Sequence, residues 1–335
     1  MTQASLTRHV APLSAGAHVT GAAFLGRTPA LALGDGTVLL GEGDAQRRVA
    51  AHPDAAILVA GGDGARLLSG GDDGRVVETR EDGSAREIAH EKGKWIDALA
   101  WREDSVTAWA AGKQVRARDA KGEVKSWSAP STVRGLAFMP RGYRLAAAHY
   151  NGVSLWFPNL AADADFLEWK GAHHSVTLSP DGKFCVSAMQ ENSLHGWRIA
   201  DRKNMKMTGY PGKVQSVSWS HDGKWLATSG AEACIVWPFA STDGPMGKKP
   251  RECGVRPARV SRVAFHPREL VVALGYDDGW IMLCRLTDAS EILVRAPEAG
   301  EGGGAVSALC WDAGGQRLLF GTAGGEAGLL TLPAA

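Results

Sequence analysis

His149, His173, His174 and His195 are the side chains that could ligate a metal ion or move a proton, and Asp97 and Glu191 could complete a ligand set with them. Their spacing lends no support. No His-Glu-x-x-His puts two imidazoles on one helix face, and no Cys-x-x-Cys fixes two thiolates on one element. A nucleophilic serine would sit in Gly-x-Ser-x-Gly, and a phosphate-cradling loop would read Gly-x-x-x-x-Gly-Lys-Ser/Thr; neither occurs. Gly182-Lys183 runs into Phe184 and Gly223-Lys224 into Trp225, which suits hairpin turns. Gly61-Gly62-Asp63-Gly64 lies between two apolar runs rather than ahead of a helix, so a dinucleotide fingerprint fails on context. Any catalytic or metal site would have to be assembled from distant parts of the chain, with His149, His174, Asp97 and Glu191 as its candidates.

The elements that must carry these residues follow from composition and periodicity. Glycine supplies 42 of 335 residues, hydrophobic residues 44% and charged residues 22%, a balance that suits a packed chain rather than a disordered one. Thirty-seven Lys and Arg offset 36 Asp and Glu to leave +1, so neither nucleic acid nor an anionic membrane has a global electrostatic argument. Met1–Ser14 lacks the apolar run and cleavage site of a secretory signal, and no stretch reaches the roughly 18 apolar residues of a spanning helix. Cys185, Cys234, Cys253, Cys284 and Cys310 are odd in number and nowhere closer than 19 residues, which argues against a disulfide framework and closely spaced zinc ligands. A reducing cytoplasm is the expected setting. Cys185, Cys234, Cys284 and Cys310 fall in apolar runs and read as small buried hydrophobes.

Short apolar runs between glycines repeat along the chain. VQSVSWSHDGKWLATSGAEACIVW, VSRVAFHPRELVVALGYDDGWIMLCRL and VSALCWDAGGQRLLFGTAGGEAGLLTL share one template: apolar residues at positions 1, 4 and 6, a turn, a second apolar run, a turn at Gly or Asp-Gly, and a third run. Five further segments fit it, making eight copies. Their position-6 anchors are Phe24, Ala60, Trp101, Phe138, Leu178, Trp219, Phe265 and Trp311, spaced 36 to 46 residues apart. Runs this short, rich in Val, Leu, Ile and Trp and bounded by Gly, Pro, Asn or Asp, predict strands. A fourth run between copies, such as Phe166-Leu167-Glu168-Trp169, makes each unit a four-stranded meander. Such units at a period of about 40 to 45 residues are the signature of a β-propeller. The expectation is an all-β chain of four-stranded antiparallel blades, one domain over residues 1–335, with eight blades favoured and seven the alternative. The last copy has no fourth strand and Ser5–Leu13 is unassigned, so the N-terminal strand is expected to complete the last blade and hide two open edges.

Ser-Pro-Asp-Gly-Lys at 179–183, Ser-His-Asp-Gly-Lys at 220–224 and Tyr-Asp-Asp-Gly at 276–279 resemble the turns of the WD40 repeat family. The resemblance spans almost the whole chain and is strongest in residues 131–332. Trp156, Trp197 and Trp237 hold the repeat's Trp position, Cys284 and Thr79 stand where Trp would be expected, and the Trp-Asp and Gly-His pairs are mostly missing. The resemblance implies a non-enzymatic protein-interaction scaffold. Its departures imply blades held chiefly by apolar packing rather than by the family's buried His, Ser, Asp, Trp network. The latter part of the chain is also similar to free-standing bacterial WD40 proteins associated with genes for zinc-chaperone-type GTPases. That likeness implies an alternative, a metal-binding or enzymatic propeller linked to such a GTPase, with its site in the central channel.

Propellers present loops on two faces around that channel, and loops carry function. In WD40-like repeats the second residue of the first strand lines the upper rim, here Thr20, Ala56, Asp97, Arg134, His174, Gln215, Ser261 and Ser307; His18, Trp95, Thr132, Lys213 and Arg259 precede those strands. This polar rim of mixed charge suits a peptide or protein loop. Residues 1–100 carry 10 Lys+Arg and 13 Asp+Glu, whereas residues 198–268 carry 13 and 5, so one arc is basic. Its longest connection, Ala240 to Arg259, holds Lys248, Lys249, Arg251, Arg256 and Arg259 and reads as an exposed loop for an acidic partner surface. Trp95 and Trp280, at strand starts beside loops, are the candidate aromatic anchors. The partner-binding set is thus Trp95, Asp97, Arg134, His174, Lys213, Gln215, Lys248, Lys249, Arg251, Arg256, Arg259 and Trp280. No catalytic, cofactor or metal residue joins it, and the expected partners are proteins rather than membrane or nucleic acid.

Overall fold

Alternating apolar runs cut by Gly, Asp and Asn turns fold here into strands and little else. The computed structural model describes residues 5–297 and 303–333, so the ends of the expected 1–335 domain lie outside the described residues. Strand β1 (Val10–Leu13) precedes the first copy. Copies one to three supply β2 (Val19–Leu25), β3 (Thr28–Leu33), β4 (Thr37–Leu40), β5 (Arg47–Ala50), β6 (Ile57–Gly62), β7 (Arg66–Gly71), β8 (Arg75–Arg80), β9 (Ala85–His90), β10 (Ala98–Trp101), β11 (Thr107–Ala111), β12 (Gln114–Arg118) and β13 (Val124–Ser128). Copies four and five supply β14 (Gly135–Phe138), β15 (Leu145–Trp156), β16 (Asp165–Leu178), β17 (Phe184–Met189), β18 (Ser193–Arg198) and β19 (Lys203–Met207). The rest are β20 (Val217–Trp219), β21 (Trp225–Thr228), β22 (Cys234–Pro238), β23 (Arg251–Cys253), β24 (Val260–Phe265), β25 (Val271–Tyr276), β26 (Ile281–Arg285), β27 (Glu291–Arg295), β28 (Val306–Trp311), β29 (Arg317–Thr322) and β30 (Ala327–Thr331).

The eight separate blades expected from the copies do not form. The strands make seven sheets, six of four strands and one of six, β14 to β19. The cause lies between copies four and five. There β16 runs straight through the junction, pairing with β15 on one side (Leu167 opposite Val153) and with β17 on the other (Val176 opposite Ser187). A boundary that is elsewhere a loop is here a hydrogen-bonded strand. β15 breaks at Asn151 and Gly152, both at positive φ (68° and 148°), where its register on β16 shifts. An apolar layer of Ala148, Val153, Leu167, Leu178 and Trp197 lies between the two ends of this sheet, which is therefore bent rather than flat.

The sheets stand in a closed ring. Innermost strands pack β28 on β2, β2 on β6, β6 on β10, β10 on β14, β14 on β16, β20 on β24 and β24 on β28. The remaining step is made by the Trp219 indole N–H, which donates to Thr177 Oγ1 of β16 at 3.0 Å. Trp311 makes a like tie to Ala264 O at 3.2 Å. Closure by the N-terminal segment holds for its second half only: β1 pairs antiparallel with β30, Val10 opposite Leu330 and Leu13 opposite Ala327, whereas Thr7–His9 form a 3-10 turn and Ser5 bridges to Leu293 of β27 in the neighbouring sheet. Register also corrects one anchor. Gly62, not Ala60, takes the place of Phe24 and Phe265. Copy two has room for no bulk beside it, because a Cβ on Gly61 would lie 2.2 Å from the Trp101 ring of the next copy.

Antiparallel meanders fix which loops share a face. Connections into each inner strand and turns between second and third strands lie on the upper face; the other two sets of turns lie on the lower. At the start of β2, β6, β24 and β28, and midway along β16 between His173 and Ser175, the register slips by one residue, and such a bulge re-aims the side chains beside it.

Candidate partner-binding site

The upper mouth is built from residues that lead into the inner strands. Trp95 precedes the fully buried Ile96, whose N–H bonds Gly71 O at 3.0 Å, and is left 68% exposed. Asp97 pairs with Arg134 of the next copy, so these two expected residues are brought together. His174 sits at the bulge of β16. Burial, with the Lys213 charge adding to it, pushes its imidazole down to about 4, so the ring is neutral at pH 7. Its Nε2 has no hydrogen-bond partner among the described residues. Lys213, Gln215 and Arg259 meet Ser229, Ser261, Asp277 and Ala305 around a cavity of about 190 Å³. Its walls are pinned: the Gln215 N–H donates to Ser229 Oγ and the Arg259 N–H to Asp277 Oδ1, each at 3.1 Å.

The basic segment Ala240–Arg259 is not a single exposed loop. β23 passes through it, so Lys248 and Lys249 lie on the lower face whereas Arg256 and Arg259 lie on the upper. Arg251 is on β23 itself, stacked 4.5 Å over Trp225 with Nη1 donating to Leu286 O at 3.0 Å. Arg256 bonds Asp278 at 2.8 Å and covers the Trp280 ring at 4.2 Å, leaving that indole only partly open. Two rim serines also turn inward. Ser261 donates to Val306 O at 2.8 Å and Ser307 to Val19 O at 2.6 Å, stitching each inner strand to the next.

Arg262 is the rim residue that sequence reading missed. Register places it where the other copies carry Gly21, Val59, Ala98, Gly135, Ser175, Ser216 and Ala308. All but Val59 of these are small enough to fit between adjacent inner strands, as Ser216 does in accepting the Val263 N–H at 3.0 Å. An arginine does not fit there. Its guanidinium reaches across the mouth, Nε donating to Ser307 O at 2.7 Å and Nη1 to Ser261 O at 3.0 Å and Gln215 Oε1 at 3.5 Å. Burial lowers its pKa, with no carboxylate nearby to oppose the shift. The available signal was one long cation among small residues at a single repeat position.

The residues proposed for channel chemistry do not converge. His149 is fully buried inside its sheet with Nε2 on Ser154 Oγ at 2.8 Å, and Asp97 is engaged by Arg134. Among the described residues no group of three or more His, Cys, Asp or Glu is placed to hold a metal. His52 has the outline of a hydrolase relay, Nδ1 3.1 Å from Asp73 and Nε2 2.8 Å from Ser69 Oγ. Ser69 and His52 are both 0% exposed, so no substrate reaches that hydroxyl and the trio works as a clasp. Cys234, Cys253 and Cys284 do meet, which spacing could not show. Hydrogen bonds from the Cys234 and Cys284 thiols hold Cys253 below the usual thiol value, while burial raises Cys234.

Comparison with known proteins completes the description of the ring. The profile of the family described as WD domain, G-beta repeat, matches residues 202–237, which take in β19, β20, β21 and β22 as far as Trp237. That stretch matches a WD40 repeat, within a ring that has the propeller fold. The chain is 22% identical over 182 residues to protein HIR1 of Chaetomium globosum, a match covering 44% of this chain and 16% of that protein. The chain therefore spans only a small part of that relative. The crystal structure of the computationally designed Ika8 protein matches with a TM-score of 0.76 over 95% of this chain and 97% of that one, at 16% identity, a likeness of fold alone. The WD40 network, implied to be largely absent, survives in altered form. In copy two it is Asp73, His52 and Ser69, with Thr79 in the Trp place. In copy six Tyr210 stands in for His: Trp237 Nε1 donates to Tyr210 Oη at 2.6 Å, and Tyr210 Oη bonds Thr228 Oγ1 at 2.7 Å. No helix among the described residues is long and apolar enough to cross a membrane.

Proposed function

We propose that residues 1–335 act as one WD40 scaffold domain that holds protein segments on the upper face of the ring. Fold and family support a protein-interaction scaffold in general; the face is argued from the mouth. Trp95 stands 68% exposed there, and Lys213, Arg259 and Arg262 have no ion-pair partner among the described residues. Several lower-face charges are paired, as in Arg198 with Asp243, Lys203 with Asp243 and Arg285 with Asp288, while Lys248 and Lys249 there have no ion-pair partner among the described residues and serve as the control positions. The open aromatic ahead of β10 and the unneutralised cations around β24 stand on opposite arcs of one upper rim, and a rigid ring holds both for a partner segment without ordering cost on binding. This reading assigns no catalytic step.

The test is affinity capture from the source cell extract with three forms of the tagged protein: wild type, Trp95→Ala/Lys213→Glu, and Lys248→Glu/Lys249→Glu. A stoichiometric protein should be retained by the wild type and the lower-face variant and lost from the upper-face variant. Loss confined to the Lys248→Glu/Lys249→Glu form would move the site to the opposite face and end this reading.

A further inference from the structure

We propose that Arg262 anchors a carboxylate-binding site at the mouth of the channel, which takes an Asp or Glu side chain from a partner's peptide segment. The inference rests on the upper-face reading and names the chemistry that face selects.

Ring packing does not call for an arginine here. Ser216 and Ala308 fill the equivalent junctions, so the long side chain of Arg262 serves something other than the fit between strands. The guanidinium is oriented but not neutralised. Its partners, Ser307 O, Ser261 O and Gln215 Oε1, are all uncharged acceptors, and Nη2 has no acceptor among the described residues. A cation held partly out of water without a counter-ion is costly, and an entering carboxylate recovers that cost through charge-assisted hydrogen bonds.

The cavity of about 190 Å³ whose wall residues Gln215 and Ser261 also accept hydrogen bonds from Arg262 has the size and sign for such a guest. Lys213 and Arg259 line it, and its one carboxylate, Asp277, already accepts the Arg259 N–H. That volume takes a single acidic side chain, not a polynucleotide strand. A chain of net charge +1 also lacks the field that phosphate backbones require.

The experiment is selection of a displayed random-peptide library on the full chain. Arg262→Ala, Arg262→Lys and Lys248→Glu/Lys249→Glu are panned in parallel, each with its far-UV circular dichroism and melting curve recorded. The wild-type and lower-face pools should share an Asp or Glu at one fixed position, and the Arg262→Ala pool should lack it. The best wild-type peptide should lose about tenfold or more in affinity on Arg262→Ala, and as much when its acid is made an amide, without further loss when the two are combined. Arg262→Lys keeps the charge and should retain part of the preference, which preserves the test if the alanine form fails to fold. Peptides with no fixed acid, or indifferent to Arg262→Ala, overturn the carboxylate site while the upper-face reading still stands on Trp95→Ala. Loss of binding on Lys248→Glu/Lys249→Glu alone, or an empty wild-type pool, overturns both. Retention of a short oligodeoxynucleotide at about 150 mM salt that depends on Arg262 would overturn it in favour of phosphate.

Discussion

Replacing Tyr210 by Phe removes one oxygen from a buried relay of three hydrogen bonds. Trp237 Nε1 donates to Tyr210 Oη at 2.6 Å, the tyrosine bonds Thr228 Oγ1 at 2.7 Å, and Thr228 donates to Ile235 O at 2.8 Å. The three side chains are 8%, 0% and 9% exposed in the order Tyr210, Thr228, Trp237, so water does not replace the missing oxygen. In Tyr210→Phe the indole N–H is orphaned, at a cost of about 1–3 kcal/mol, whereas Thr228 keeps its bond to Ile235 and loses only an incoming donor. The net expectation is a loss of about 2 kcal/mol in unfolding free energy. Burial holds the Tyr210 hydroxyl above its ordinary value of 10.0, so it stays protonated at neutral pH and the loss should not vary there with pH. Urea unfolding followed by tryptophan fluorescence reads this as a lower midpoint with unchanged slope. A cycle with Trp237→Phe, which removes donor and acceptor together, should recover part of the loss as coupling. A single-variant loss under about 0.5 kcal/mol, or a cycle without coupling, would refute the assignment of Tyr210 to the histidine's role.

Four further outcomes follow from the same geometry. Burial pushes the Glu78 carboxyl up, but hydrogen bonds from Arg80 and Arg66 outweigh it and hold the group below 4.5; the resulting stability is present above that value and is lost as pH falls through the lower folded one. Glu78→Gln should therefore cost about 3 kcal/mol near neutral pH, and the cost should shrink as pH is lowered below 4.5, read by urea melts over a series of acid pH values. Gly254 has φ +63° and a Cβ there would lie 2.4 Å from Tyr276 Oη and Leu274 Cδ1, so Gly254→Ala should lower the melting temperature by an amount equivalent to about 2 kcal/mol or more. Trp95→Ala should leave stability within about 0.5 kcal/mol while abolishing partner capture. Deleting residues 1–13 strips β1 from β30, and light scattering should then show self-association through the bared edge.

Much of the fold could be read from the chain, for identifiable reasons. Period-two apolar runs and Asp-Gly or Asn-Gly turns gave the strands, and the missing fourth strand of the last copy pointed to Ser5–Leu13. The sheet count was not legible, because a count of copies equals a count of sheets only if every junction is a loop. Gly171 between Trp169 and His173 has the look of a turn, yet β16 continues through it. Ala60 was misread as an anchor because Trp101 fills the neighbouring space from another copy. At the site, Asp97 and Arg134 of neighbouring copies form an ion pair, which their separate repeat positions do not reveal. The Ala240–Arg259 segment did not stay together, since a three-residue strand, Arg251–Cys253, is too short to show a period. Arg262 and the meeting of Cys234, Cys253 and Cys284 depend on register between strands distant in sequence, which local spacing does not carry.

The pairing of β1 with β30 has a consequence in time. Roughly 300 residues separate the two strands, and at about 5–20 residues per second a ribosome takes on the order of 15–60 s to bridge them. Throughout that interval Val10–Leu13 waits without its partner, four residues long and carrying Pro12, which cannot donate to a foreign sheet. The emerging protein is an arc with a free edge at each end, and only a chain translated as far as β30 can be sealed.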